Sequence, residues 1–251
     1  MNYSSGDDRG RYMQTEINLK LIYRVLKLLK ILLPLVYRIE YWNTERLPRS
    51  GGFLMVVNHQ YHCDIPFEGL LLYRILGRYA LYVMQANLPR ALRRLGGISI
   101  VRRKDVVRAT HRAKLEAQSA LDTGDEQMRQ VARRNRTDEL NAARLIKATI
   151  YQTILDLLIS GQIVVMHPQK TRRPKMPFEP SLDVMREIVS LGERMVQSGQ
   201  PGLSVVPVQI CYQNPYVLRS RVQLRVGEPI LLSGQVTASM LKEHLLEQIQ
   251  T

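Results

Sequence analysis

At 251 residues the chain is long enough for one well-buried domain with appendages, and no Gly/Ser/Pro-rich linker divides it. Its 36 Lys and Arg against 22 Asp and Glu leave a formal net charge of +14. This favours anionic partners: membrane surfaces, phosphorylated substrates, coenzyme A or nucleic acid. Two cysteines, Cys63 and Cys211, form no Cys-x-x-Cys pair; this fits a reducing compartment and implies no disulfide framework.

Residues 1–16 are polar, lack the apolar core and cleavage site of a signal peptide, and read as disordered. From 17 to 42 the chain reads INLKLIYRVLKLLKILLPLVYRIEYW, a basic amphipathic helix. Lys20, Arg24, Lys27 and Lys30 would each cost about 2.5–3.5 kcal/mol near a bilayer centre, whereas each Leu or Ile returns only about 0.3–0.6. The segment is therefore expected to lie on an anionic membrane surface, with Tyr37, Tyr41 and Trp42 at headgroup level. A core-packing helix with snorkelling lysines is the alternative. Pro34 should kink it or end its first half.

Arg49-Ser50-Gly51-Gly52 is a turn into an apolar strand, Phe53 to Val57. Asn58-His59-Gln60-Tyr61-His62-Cys63-Asp64 follows, and then an apolar helix from Ile65 to Leu76. Imidazole is the side chain best suited to take a proton from an alcohol near neutral pH. A carboxylate five residues on can turn back to fix its tautomer, so His59 and Asp64 form a candidate general base and its orienter. The chain holds no Gly-x-Ser-x-Gly elbow, so the base is expected to activate a substrate hydroxyl and not an enzyme serine. His59, His62, Cys63 and Asp64 are too crowded for a metal site without another ligand in register, and no metal or cofactor is expected.

A second strand is expected over Tyr79 to Met84, a short basic helix over Leu88 to Leu95, and a glycine turn and strand ending in Arg102 and Arg103. Either arginine can hold a phosphate bidentately. Residues 104–147, dense in both charges, with no proline and one glycine, read as a helical insertion. A helix from Leu145 to Ile159 ends at Ser160-Gly161. The strand Ile163 to Met166 then leads into His167-Pro168-Gln169-Lys170-Thr171-Arg172. Gly202 to Ile210 reads as a strand carrying Pro207, Val222 to Val226 as another strand, and Thr237 to Ile249 as a closing helix.

In order and spacing these segments resemble the motifs of the glycerolipid acyltransferases, the glycerol-phosphate and lysophosphatidate acyltransferases, over roughly residues 50 to 250 minus the insertion. Asn58, His59 and Asp64 match the first motif. Arg102 or Arg103 matches the arginine of the second, held to contact the acceptor phosphate. Pro168, Thr171 and Arg172 agree with Phe-Pro-Glu-Gly-Thr-Arg of the third, whereas His167, Gln169 and Lys170 depart from it. Pro207 falls in the fourth, which lines the substrate cleft.

The resemblance implies a single α/β domain over 43–251, with a central mixed sheet covered by helices. It also implies acyl transfer from acyl-CoA or acyl-ACP to a hydroxyl of a lipid acceptor, in phospholipid biosynthesis. Asn58, Arg102, Arg103, Gln169, Lys170, Thr171, Arg172 and Pro207 would line the substrate site. The protein would be cytoplasmic and peripheral on the membrane. Because Gln169 lacks a carboxylate's charge and Lys170 adds bulk where glycine stood, the acceptor pocket is expected to be altered. A catalytically silent lipid- or partner-binding relative is the alternative. A nucleic-acid-binding protein is disfavoured, since no such motif accompanies the basic residues.

Overall fold

The Asn18 side-chain oxygen accepts a hydrogen bond from the Leu21 N–H (3.0 Å), satisfying one of the donors that a helix start leaves orphaned. The computed structural model describes residues 17–61, 63–85, 89–100, 148–169 and 177–250. The polar N-terminus and the whole charged insertion expected at 104–147 lie outside them. Helix α1 runs Leu19–Val36 and buries Ile22 and Leu26, four residues apart on one face.

The helix expected over 17–42 thus stops at Val36. Pro34 brings no N–H to the last turn, and Tyr37–Trp42 form strand β1. In that stretch Arg38 and Trp42 are exposed while Tyr37, Ile39, Glu40 and Tyr41 are half-buried, as suits a sheet edge. Tyr37 and Tyr41 are therefore committed to the sheet and not to a membrane-lying helix.

The remaining elements, in order, are β2 (Phe53–Val57), α2 (Asp64–Leu76), β3 (Ala80–Gln85), α3 (Arg90–Arg94), β4 (Gly97–Ile100), α4 over 148–159, β5 (Ile163–Met166), α5 (Leu182–Gln197), β6 (Leu203–Tyr212), β7 (Ser220–Val226), β8 (Ile230–Leu232) and α6 (Ala238–Gln250). Helix α5 and strands β1 and β8 were not among the sequence-predicted elements; the others fall close to their expected places. Gly77, at φ 67°, closes α2 in the left-handed conformation that a side chain disfavours. Gly52 is required for a different reason, because a Cβ there would sit 2.0 Å from the Leu158 carbonyl oxygen of α4.

These strands form one mixed α/β sheet in the order β1-β7-β6-β2-β5-β3-β4, with β8 pairing β6. Both neighbours of β2, β5 and β6, run parallel to it, so its five residues are buried on both faces and need no alternation. Strand β6 turns antiparallel to β7 and β8 on its other side. Apolar residues of α4, α5 and α6 cover one face of the sheet, and those of α2, with Leu33 of α1, cover the other. The carboxyl ends of β2, β5 and β6 therefore open along one edge, the place where open α/β sheets present their chemistry.

Pro207 lies in the interior of the sheet and not on an edge strand. Its carbonyl accepts from the Gly227 N–H (2.8 Å), so its missing donor faces the interval between the β7 and β8 ladders, where no strand residue needs it.

Candidate active site

Strand β2 ends by passing its register to a side chain. The Asn58 amide donates to the Ile210 carbonyl (3.0 Å) and accepts from the Ile210 N–H (2.7 Å), standing in for a backbone pair and splicing the start of the loop to β6. Asn58 is buried, and its amide is spent on β6, so it supports the loop without facing the edge where His59 lies.

His59 follows. Its Nδ1 lies 2.9 Å from Asp64 Oδ2, and the same oxygen accepts from the backbone N–H groups of Gln60 (2.8 Å) and Tyr61 (2.9 Å). The loop between the two residues is thus folded around the carboxylate that holds the ring. Asp64 is the first residue of α2, where the orphaned N–H groups of a helix favour negative charge. Its other oxygen accepts from the Tyr212 hydroxyl at 2.6 Å, and Asp64 has no exposed surface. An Nδ1 that donates to a carboxylate leaves Nε2 as the basic nitrogen, and 14% of the His59 side chain remains exposed.

Burial first, and then the Asp64 charge, drive the Tyr212 pKa far above the usual phenol range, so its hydroxyl remains a donor. Burial likewise raises the Cys63 thiol, which donates weakly to the Tyr212 oxygen at 3.6 Å. A thiol pushed upward is a poor nucleophile near neutral pH. Of these groups, the imidazole is the one suited to move a proton near neutral pH.

The loop after β5 closes the other side. Gln169 Oε1 accepts from the His59 backbone N–H, while Gln169 itself forms an isolated bridge with Pro180. The oxygen that replaces the expected carboxylate is thus used as a plain acceptor, which an amide provides as well as a carboxylate does. His167 stacks on His59 with ring centroids 4.3 Å apart and planes tilted by 31°. Its Nε2 lies 2.8 Å from Glu68 Oε1, and Glu68 sits one turn along α2 from Asp64 with no exposed surface.

Of the residues expected from sequence, the structure brings together His59, Asp64 and Gln169, with Asn58 behind them. Pro207 is not brought to them. Strand alternation turns it, with Leu203 and Val205, towards the face covered by α5 and α6, whereas Val206, Val208 and Ile210 face α2. Arg102, Arg103, Lys170, Thr171 and Arg172 lie outside the described residues.

Sequence reasoning missed Tyr212, Glu68 and the partnership of His167. Glu68 left a signal, a carboxylate inside the apolar run of α2. Tyr212 left none, because it reaches Asp64 from 148 residues away. Among the described residues no group of three or more His, Cys, Asp or Glu side chains could hold a metal ion.

No protein-family model matches the sequence, and no curated protein matches it significantly. Among solved structures the chain is similar to the crystal structure of the 1-acyl-sn-glycerophosphate (LPA) acyltransferase PlsC from Thermotoga maritima. The two are 17% identical over 99% of this chain and 81% of that one, with a TM-score of 0.53. At that identity the likeness shows the fold.

Proposed function

We propose that the protein is an acyltransferase that moves a fatty acyl group from a thioester, carried on coenzyme A or acyl carrier protein, to a hydroxyl of a lysophosphatidate-like lipid acceptor. The observation that carries this reading is the His59 ring held through Nδ1 by a buried Asp64 whose two oxygens are otherwise filled by Tyr212 and two backbone N–H groups. Such a ring is oriented before substrate arrives and needs no rearrangement to act.

In this account His59 Nε2 takes the proton from the acceptor hydroxyl as its oxygen attacks the thioester carbonyl. The tetrahedral adduct collapses with loss of the thiolate, which recovers the proton from His59, leaving an ester and a free thiol. Asp64 stabilises the transient imidazolium. Arg102 or Arg103, with Lys170, Thr171 and Arg172, would receive the acceptor's anionic group.

An exposed apolar surface supports a lipid acceptor and an anionic membrane as partners. Leu28, Ile31, Leu32 and Leu35 of α1 are 45–64% exposed beside Lys27 and Lys30, and Tyr216 and Leu218 of the loop after β6 are 86% and 68% exposed. The two patches are tied together where Arg219 N–H bonds the Val36 carbonyl (2.6 Å) and the Tyr37 hydroxyl bonds the Pro215 carbonyl (2.9 Å). The Tyr216 ring meets Tyr61 edge-on at 6.2 Å, so the apolar surface reaches the loop that holds His59. Among the described residues no helix is long and apolar enough to cross a membrane, which suits a peripheral attachment.

The test is to incubate the purified chain with labelled acyl-CoA or acyl-ACP and a panel of hydroxyl acceptors that includes lysophosphatidate, following product by mass. The departures at His167, Gln169 and Lys170 favour one second reading, a relative that binds lipid without turning it over. Vesicle binding with no product from any acceptor would select it.

A further inference from the structure

Beside the His59–Asp64 pair stands a second imidazole–carboxylate pair to which that mechanism gives no task. Glu68 is buried with no exposed surface, and its Oε2 has no hydrogen-bond partner among the described residues. Its one bond, from Oε1, goes to Nε2 of His167, whose side chain is itself only 10% exposed. A buried carboxylate with a single donor is strongly unfavourable unless a full positive charge compensates it. An Nε2–H donates to Oε1 whether the ring is neutral or charged; a second proton, on Nδ1, would supply the full charge that the half-satisfied carboxylate lacks and would set an imidazolium 4.3 Å from His59.

That position bears directly on the base. Asp64, 2.9 Å from His59 Nδ1, favours a proton on His59, and a general base that is already protonated cannot act. A cation against the face of the same ring opposes this. Among the described residues around the two rings, no other group supplies such a charge. Tyr212 on β6 and Cys63 before α2 carry raised pKa values and stay neutral, Gln169 after β5 is an amide, and Tyr82 on β3, near Glu68, is a buried phenol.

The geometry points to His167, anchored by Glu68, as a positioning residue for His59: it packs the ring in place and, by its charge, keeps that ring unprotonated and ready to accept a proton. This assignment rests on the reading of His59 as a general base. It concerns the state of the ring, which can be measured whether or not the acyl donor and acceptor have been found.

The experiment is a pH titration of the full chain carrying isotope-labelled histidine, followed by NMR. The signals of His59 and His167 are assigned by their loss in His59→Ala and His167→Phe. In the wild-type protein the His167 midpoint is expected above imidazole's ordinary value of about 6.5. His167→Phe keeps a flat ring in the stack without a charge and is expected to raise the His59 midpoint by about one to three pH units. Glu68→Gln preserves an acceptor for His167 Nε2 but removes the anion; it is expected to lower the His167 midpoint and raise that of His59. It also serves as the second probe should the phenylalanine variant fail to fold. A purely structural filler would move neither midpoint. A wild-type His167 midpoint below about 6.5, or a His59 midpoint unmoved in the folded variants, overturns the assignment. Absence of acyl transfer with the expected midpoints would instead refute the activity alone.

Discussion

Replacing Tyr212 by phenylalanine removes one oxygen from the site and leaves the ring where its neighbours hold it. That ring packs edge-on against Tyr61 (5.0 Å) and Phe67 (5.8 Å), contacts that a phenyl group retains. What is lost is the 2.6 Å bond to Asp64 Oδ1, which has no other donor among the described residues, while Oδ2 keeps all three of its own. A hydrogen bond to a charged group contributes about 1.5–3 kcal/mol, so urea denaturation should show that loss with an unchanged slope against denaturant. Turnover should fall by only about tenfold, the effect of 1.36 kcal/mol in the barrier, because the phenol acts on the base through Asp64.

The same substitution has an alkaline signature. Burial, followed by the Asp64 charge, raises the Tyr212 pKa in the fold, so the folded chain keeps this proton at a pH where an unfolded tyrosine has lost it. That contribution is present below the unfolded value of about 10 and declines as pH climbs towards the folded one, by about 1.36 kcal/mol per pH unit. Between pH 10 and 11 the wild-type denaturation midpoint should therefore drop more steeply than that of Tyr212→Phe. Equal stability at neutral pH, together with identical alkaline slopes, would show that the hydroxyl does not hold Asp64.

Asn58→Ala orphans both the N–H and the carbonyl of buried Ile210, at about 1–3 kcal/mol for each, and should lower the denaturation midpoint further than Tyr212→Phe does. Gln169→Glu keeps an acceptor for the His59 N–H, so turnover should stay within about tenfold of wild type, whereas Gln169→Ala frees the loop and should fall well below it. Changing Leu28, Ile31 and Leu35 together to serine strips exposed apolar surface from α1. Since a fully buried side chain of this kind contributes about 1.5–3 kcal/mol, co-sedimentation with anionic vesicles should weaken by more than about tenfold while the fold is retained.

The centre of the fold was legible because its signals are local. Phe53–Val57 is a short apolar run closed by polar residues, buried on both faces as parallel strands are, and the His59-to-Asp64 spacing delivers its two side chains within one loop. The N-terminal segment misled because apolar residues at helical spacing continue smoothly into Tyr37–Trp42. Strand β1 begins within that stretch, and only the free edge of β7 gives it a partner. The second pair was illegible for a related reason. His167 appeared as a departure from a motif, and Glu68 as one charge in an apolar helix. Only the parallel pairing of β2 with β5 sets the loops after them side by side. Gln169 reads differently as well: its amide oxygen fixes the His59 loop, so the loss of a carboxylate there does not by itself disable the site.

If His59 is the base of an acyl transfer, a single-turnover assay with acyl-CoA or acyl-ACP and hydroxyl acceptors separates wild type from His59→Ala. The wild-type chain should form ester, and the variant should do so about 10²–10⁴-fold more slowly with thermal stability little changed. Ester formation at the wild-type rate by His59→Ala would contradict that role.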